Sequence, residues 1–316
     1  MSDIVTWGVL GYARIARQSV IPAIERAENA RLLGVASRNS DGLPTDQWER
    51  TYASYADLLS DSDIQAVYIP LPNSLHKEWV IRALEAGKHV LCEKPLGLDA
   101  AEVAAMQQVA SQHNRILMEA FMYRYTDRMR VVKEVLDGGE LGELRHINAS
   151  FRFLLDRPNT IKMQAELGGG ALYDVGCYPV NFLGMVTGRL PQRCQVLSEI
   201  QQGVDTNLSA LLQYDDGLIA NIHCGFNAFG RNYAEIIGDK GLLCVDTPFL
   251  DDAGEIYLHS AQGVRALSVA QSDRYQAEIH HFSAAVLDQP ARLISPEESL
   301  RNMQVLDMIR HAQFPG

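Results

Sequence analysis

Cysteine is scarce, and its placement is uninformative as a motif. Cys92, Cys177, Cys194, Cys224 and Cys244 are odd in number and form no Cys-x-x-Cys pair. Cysteines in apolar strand-like runs behave as reduced core residues, so the expected compartment is a reducing cytosol and no disulfide framework is expected. Long apolar runs are missing as well, and no uninterrupted stretch approaches the length needed to span a membrane. Met1-Ser2-Asp3-Ile4 carries no basic segment followed by a long apolar one, so no secretory signal is expected. Positive charge is in deficit: 28 Lys and Arg stand against 39 Asp and Glu, for a formal net charge of -11. That balance argues against nucleic-acid partners, whose phosphate backbones need basic patches, yet leaves room for a local pocket that holds one nucleotide phosphate. Low-complexity segments and internal repeats are also absent.

What the chain does have is length and rhythm. Its 316 residues suggest two domains, and 47% hydrophobic content supports a sizeable core. In the first third, short apolar runs (Ile4 to Leu10, Leu32 to Ala36, Ile64 to Ile69, Val90 to Cys92, Ile116 to Ala120) alternate with helical patterns. The helical stretches are Arg14 to Glu28, where Pro22 should kink or shorten the helix, Leu75 to Ala86, and Ala100 to His113. Strands alternating with helices imply parallel βαβ units, and right-handed crossovers bring the strands' carboxyl ends to one rim. After a further helix from Thr126 to Leu136, stopped at Asp137-Gly138-Gly139, strand signals dominate: His146 to Phe153, Cys194 to Ile200, Leu208 to Tyr214, Leu218 to Cys224, Tyr233 to Ile237 and Leu242 to Val245. Asp215-Asp216-Gly217 and Asp239-Lys240-Gly241 read as hairpin turns, hence a mostly antiparallel sheet with one face open. Ser295-Pro296-Glu297-Glu298 is a capping box that starts the last helix. The expected boundary lies near residue 121: residues 1–121 bind a dinucleotide, and residues 122–316 form an α+β domain for substrate and oligomer contacts.

Three pieces carry chemistry. Gly11-Tyr12-Ala13-Arg14-Ile15-Ala16 follows the first strand and opens a helix, a G-x-G-x-x-G fingerprint with alanine in its second and third glycine places. The glycine makes the tight turn, the small residues let backbone approach a pyrophosphate, and the helix start offers free N–H groups. The second piece is Glu93-Lys94-Pro95, which places a lysine at a strand's carboxyl end, where ligands lie in such folds, with a proline to stiffen the turn. The third is the run Gly168-Gly169-Gly170-Ala171-Leu172-Tyr173-Asp174-Val175-Gly176-Cys177-Tyr178, in which Asp174 and Tyr178 stand four apart on an expected helix. The second strand ends without an acid and runs into Ser37-Arg38-Asn39. A serine and an arginine there suit the 2′-phosphate of NADP better than the free ribose hydroxyl of NAD, which calls for a carboxylate. Asp41 lies close enough to blur that preference.

In that order, these pieces resemble the Gfo/Idh/MocA family of nicotinamide oxidoreductases over essentially the whole chain. The tyrosine at position 178, where many members have histidine, narrows the resemblance to the xylose dehydrogenase and dimeric dihydrodiol dehydrogenase branch. The resemblance implies an N-terminal Rossmann domain, a C-terminal domain with an open, mostly antiparallel sheet, and hydride transfer between NADP(H), less so NAD(H), and a sugar, polyol or cyclic diol. It implies that Lys94 polarises the reacting oxygen, Tyr178 is the general acid/base and Asp174 orients substrate or lysine. A free phenol titrates near pH ~10, and a cation beside it lowers this by roughly 1–3. Gly11, Tyr12, Ala13, Arg14, Ile15, Ser37, Arg38, Pro70, Pro72, Asn73, His76, Glu93, Lys94 and Arg124 would contact the cofactor. The segment Glu119-Ala120-Phe121-Met122-Tyr123-Arg124-Tyr125 resembles the family's crossover, although Thr126-Asp127 replaces the usual His-Pro. Arg152, Phe153, Asp156 and Arg157 are candidates for sugar hydroxyls. Substrate would lie between the cofactor face and the antiparallel sheet, and pairing through the outer face of that sheet would give a homodimer or tetramer.

Rival readings are weighed on the same residues. A redox-assisted glycosidase of this superfamily would prefer an acid after the second strand and a histidine-rich site. A non-catalytic dinucleotide sensor need not keep Lys94, Asp174 and Tyr178 together. A keto-sugar reductase would run the reaction in reverse. Glu278-Ile279-His280-His281 is not read as a metal site, because adjacent histidines on a helix point about 100° apart. No nucleophile elbow supports serine hydrolysis.

Overall fold

The computed structural model of the protein describes residues 4–38, 43–44, 47–157, 160–250 and 252–313. The chain divides into two compact units, Met1–Met122 with Arg274–Ser299, and Tyr123–Asp273 with Leu300–Gly316.

In the first unit, β1 (Val5–Leu10), β2 (Ala30–Ala36), β3 (Arg50–Tyr52), β4 (Ala66–Ile69), β5 (His89–Glu93) and β6 (Leu117–Ala120) form one sheet. The order is β3-β2-β1-β4-β5-β6 and every pairing is parallel. The crossovers include α1 (Ile21–Arg26), α2 (Tyr55–Ser60), α3 (His76–Glu85) and α4 (Ala100–Gln112). Strands covered on both faces read as continuous apolar runs, and Val9, Val35, Val67, Ile69, Val90 and Leu91 are fully buried. Each such side chain contributes about 1.5–3 kcal/mol over leaving it exposed.

Pro22 acts one turn upstream of itself. It supplies no N–H, and its ring would clash with the carbonyl of Gln18, four residues back. The helix accommodates this with a π-helical stretch, Ala16–Val20, in which the Ile21 N–H reaches back to the Ala16 carbonyl. Pro179 has the same effect in the second unit. Its residue four back, Val175, lies in a second π-helical stretch, Leu172–Gly176. The first widened turn begins at the end of the dinucleotide fingerprint and the second falls within the glycine-rich run of residues 168–178, and such turns are common at functional sites.

The second unit holds α5 (Asp127–Asp137), α6 (Cys177–Thr187) and eight strands. These are β7 (Leu144–Leu154), β8 (Arg193–Gln201), β9 (Val204–Gln213), β10 (Ile219–Gly225), β11 (Asn227–Gly238), β12 (Gly241–Asp246), β13 (Gly254–Ser260) and β14 (Gly263–Val269). Their order is β14-β13-β12-β11-β7-β10-β9-β8. All pairings are antiparallel except β7 with β10. Residues alternate faces, so Ile147, Ala149, Ala220, Ile222, Ala210, Leu212, Ala234 and Ile236 form a buried layer packed by α6. The two expected hairpin turns join β9 to β10 and β11 to β12. The short β3 and the β13–β14 hairpin were not expected from the sequence.

α7 (Arg274–Val286) returns to the first unit, where Phe282 packs on Trp7 with ring centroids 5.1 Å apart and the Trp7 Nε1–H donates to Ser283 Oγ at 3.1 Å. α8 (Pro296–Gln313) opens with the expected capping box: the Glu298 N–H donates to Ser295 Oγ, and the Ser295 N–H to Glu298 Oε2.

Candidate active site

The parallel sheet changes direction of winding between β1 and β4, and ligands of doubly wound sheets bind outside the carboxyl ends at that switch. Two loops leave the sheet there. Gly11 takes φ +116°, its N–H donates to the Ala36 carbonyl at 2.8 Å, and a Cβ on it would come within 3.0 Å of Leu71 Cδ2. This bare-backbone turn into a helix start fits a pyrophosphate. Tyr12 stacks edge-on against Trp48 with Arg17 over its ring, Arg14 is exposed and bonds Gln18 Oε1 at 2.7 Å, and Ala13 and Ile15 are half-buried. Ser37 and the exposed Arg38 follow β2 directly, a donor set that fits a 2′-phosphate. Asn39 and Asp41 lie outside the described residues. From β4 come buried Pro70 and half-buried Pro72 and Asn73.

Lys94 sits in the turn after β5 and is half-buried, and its bond to Pro95 is cis. The turn is gripped from several directions. Tyr68 Oη donates to Glu93 Oε1 at 2.6 Å, the Leu96 N–H donates to Glu119 Oε1 at 3.0 Å, and the Leu98 N–H donates to Glu102 Oε2 at 2.9 Å. His76, expected among the cofactor contacts, is instead fully buried inside this frame. Its Nδ1 lies 3.0 Å from the Pro95 carbonyl and its Nε2 2.9 Å from the Leu71 carbonyl. Burial lowers the pKa of the ring against those two carbonyls, so the neutral imidazole donates to one of them. Its side chain braces the lysine turn and leaves no nitrogen for a cofactor.

In the second unit, Asp174 lies on the π-helical turn and Tyr178 on the first turn of α6. Asp174 pairs with Lys162, a residue the sequence gave no reason to choose. The Lys162 ammonium also stands 5.3 Å from the Phe153 ring centroid and 6.0 Å from that of Phe226. The glycine run makes the pairing possible: the Gly170 N–H donates to the Lys162 carbonyl at 2.8 Å, drawing residues 162 and 174 together. Asp205 was also missed. Its Oδ2 accepts the Leu172 N–H at 2.7 Å and so caps the helix that carries Asp174 and Tyr178. Burial pushes this carboxyl up to about 6, restrained by the backbone N–H groups of Leu172 and Ala171. A carboxylate amid the buried run Val204-Asp205-Thr206 is the sequence signal that marks it.

The Tyr178 ring is buried among Phe151, Phe249 and Tyr123, with centroids 5.2, 5.5 and 5.9 Å away. Tyr123 Oη donates to Asn181 Oδ1 at 2.7 Å, and Arg124 Nη1 donates to the same oxygen at 3.3 Å, tying the crossover segment to α6 one turn past Tyr178. The four candidates for sugar contacts separate. Asp156 and Arg157 line a cavity of about 690 Å³ with Thr160, Gln164, Gln202 and Asn227. Arg152 lines another of about 450 Å³ with Arg231 and Asp246. Phe153 joins Lys162.

Residues 5–121 match the oxidoreductase family's NAD-binding Rossmann-fold model, and residues 129–244 match the GFO/IDH/MocA C-terminal domain. The chain is 34% identical to an NADP-dependent D-xylose 1-dehydrogenase from Haloferax volcanii over 98% of both chains. It is 34% identical to the mouse trans-1,2-dihydrobenzene-1,2-diol dehydrogenase over 75% of this chain and 73% of that one. Among solved structures, a 3-ketoreductase from Actinomadura kijaniata in complex with NADP and TDP-benzene superimposes with a TM-score of 0.89 at 31% identity, over 98% of each chain. The chain therefore belongs to the GFO/IDH/MocA family of oxidoreductases.

Proposed function

We propose that this oxidoreductase transfers a hydride between NADP and a CH–OH carbon of a sugar, polyol or cyclic diol. The observation that carries the reading is its similarity, over nearly its whole length, to an NADP-dependent xylose dehydrogenase. Ser37 and Arg38 at the end of β2 support NADP over NAD. NADP, when bound, supplies the hydride acceptor or donor. The protein's own groups position and handle charge. Lys94, fixed by the frame around its turn, stabilises negative charge on the reacting oxygen. Tyr178 takes or returns the hydroxyl proton. Asp174 orients the substrate, and the ion pair with Lys162 holds Asp174 in place. The five free thiols support a reducing cytoplasmic setting.

A second reading, a reductase of keto-sugars, is favoured by the close superposition on the 3-ketoreductase. Nicotinamide absorbance separates the two. Purified protein is assayed with NADP against aldoses, inositols and vicinal diols, and with NADPH against keto-sugars. Turnover in one arm names direction and substrate class. Lys94→Ala is expected to lower kcat by about 100-fold or more while NADP binding persists. Tight NADPH binding with no turnover in either arm would reject both readings in favour of a dinucleotide sensor.

A second copy of the chain is the expected partner, seated on the open face of the eight-stranded sheet. Leu197, Leu211, Ile219, Tyr257 and Val264 are exposed on that face.

A further inference from the structure

Glu119 stands on β6 directly across from Cys92 of β5, at the carboxyl rim of the parallel sheet. It is fully buried. One carboxylate oxygen accepts the Leu96 N–H, two residues past Lys94, and the other is buried without a partner of good geometry. Lys94 and Glu93 face it from the turn and β5, the Ser299 hydroxyl from α8, and the neutral Cys92 thiol from the adjacent strand. His76, on the far side of the turn, is uncharged.

An isolated buried carboxylate disfavours folding unless a charge compensates it. A glutamine carbonyl of the same length can also accept the Leu96 N–H, but without the added strength that an ionised acceptor gives. What only the carboxylate adds is a negative charge on the lysine turn itself, delivered through the Leu96 N–H two residues past Lys94. We propose that Glu119 is the positioning residue for Lys94, its ionised form holding the lysine turn and fixing the charge that Lys94 presents to the reacting oxygen. This rests on the reading of Lys94 as the group that polarises that oxygen.

Burial pushes the Glu119 carboxyl up to about 7. Leu96, Ser299 and Lys94 restrain the rise and Glu93 adds to it. The sign of the linkage follows. The folded state holds this proton more tightly than the unfolded chain, so the contribution of Glu119 to stability is greatest below its unfolded pKa and is lost as pH rises through about 7. Activity runs the other way: the competent, ionised form fills as pH rises through the same range. The residue is thus one whose function opposes stability.

The test compares wild type with Glu119→Gln and Glu119→Asp by thermal unfolding and by kcat/KM against pH, with the substrate that the nicotinamide assay identifies. Wild type is expected to lose activity below about pH 7, with a limb that Glu119→Gln lacks. Glu119→Gln should lower kcat between about 10- and 100-fold, leave NADP binding unchanged, and melt at or above wild type at about pH 8. Glu119→Asp, which keeps the charge but withdraws from Leu96, should keep an acid limb at reduced rate. A shared pH profile in wild type and Glu119→Gln, or a Glu119→Gln protein that is less stable at about pH 8 or does not fold, overturns the proposal. Absence of any wild-type turnover rejects the functional reading itself, which is a different result.

Discussion

Gly170 and Gly188 both take positive φ, at +111° and +66°, yet a methyl group meets different surroundings at each. At Gly188 nothing lies within 4 Å, whereas at Gly170 a Cβ would stand 2.3 Å from Asp205 Oδ1. The backbone alone costs a non-glycine residue about 1–2 kcal/mol in such a conformation. Gly188→Ala should therefore lose about that much stability and keep its rate. Gly170→Ala must also push Asp205 off the helix start that it caps, so its loss should be on the order of 3 kcal/mol or more. Because that helix carries Asp174 and Tyr178, kcat should fall at least about 10-fold with NADP affinity intact. Chemical denaturation and steady-state rates on both variants decide it. Equal stability losses would mean that the Asp205 contact is not what the glycine protects.

Elements differ in how far sequence alone reveals them, and the reason is range. Ser295-Pro296-Glu297-Glu298 is self-contained: cap, first-turn proline and returning glutamate lie within four residues, and both reciprocal bonds form. Ser295→Ala should cost about 1 kcal/mol, read as a shift in denaturation midpoint with unchanged slope; no shift would mean that α8 is held by packing alone. Pro22 was legible as a disturbance, though not as a widened turn, because a proline in a helix can equally be relieved by a kink or a shorter helix. The three-residue β3 shows no alternation to read, and the parallel β7–β10 pair joins segments that no hairpin links. The return of α7 to the first unit is likewise non-local. The proposed site divides the same way. Lys94, Asp174 and Tyr178 sit in contiguous motifs, whereas Lys162 reaches Asp174 only through the fold of the intervening glycine run. His76 misled because a histidine at the start of a helix beside an expected nucleotide loop looks outward in sequence, and only the carbonyls of Leu71 and Pro95 show that it faces inward.

For the whole molecule the open question is the number of chains. One face of the eight-stranded sheet is buried within its own unit, and the other presents Leu197 at 82% exposure and Val264 at 62% toward opposite ends of the strand order. Between them runs a polar ladder. Asn221 Nδ2 donates to Asn148 Oδ1 at 3.0 Å, Asn148 Nδ2 donates to Glu235 Oε2 at 3.0 Å, and His146 Nε2 lies 2.9 Å from Asn148 Oδ1. These bonds pair the polar side chains with one another along the sheet, and the apolar residues on either side supply the favourable burial. The proposed two-fold pairing of identical faces would use both. Replacing Leu197 and Leu211 together by glutamate places charges in that interface while changing the isolated fold by only about 0.5 kcal/mol, since both side chains are exposed. Light scattering at micromolar concentration should then find wild type as a pair of chains and the double variant as single chains with the same melting behaviour at low concentration. A wild type that already runs as a single chain, or a double variant that still pairs, would assign this face to solvent and move the search for a partner elsewhere.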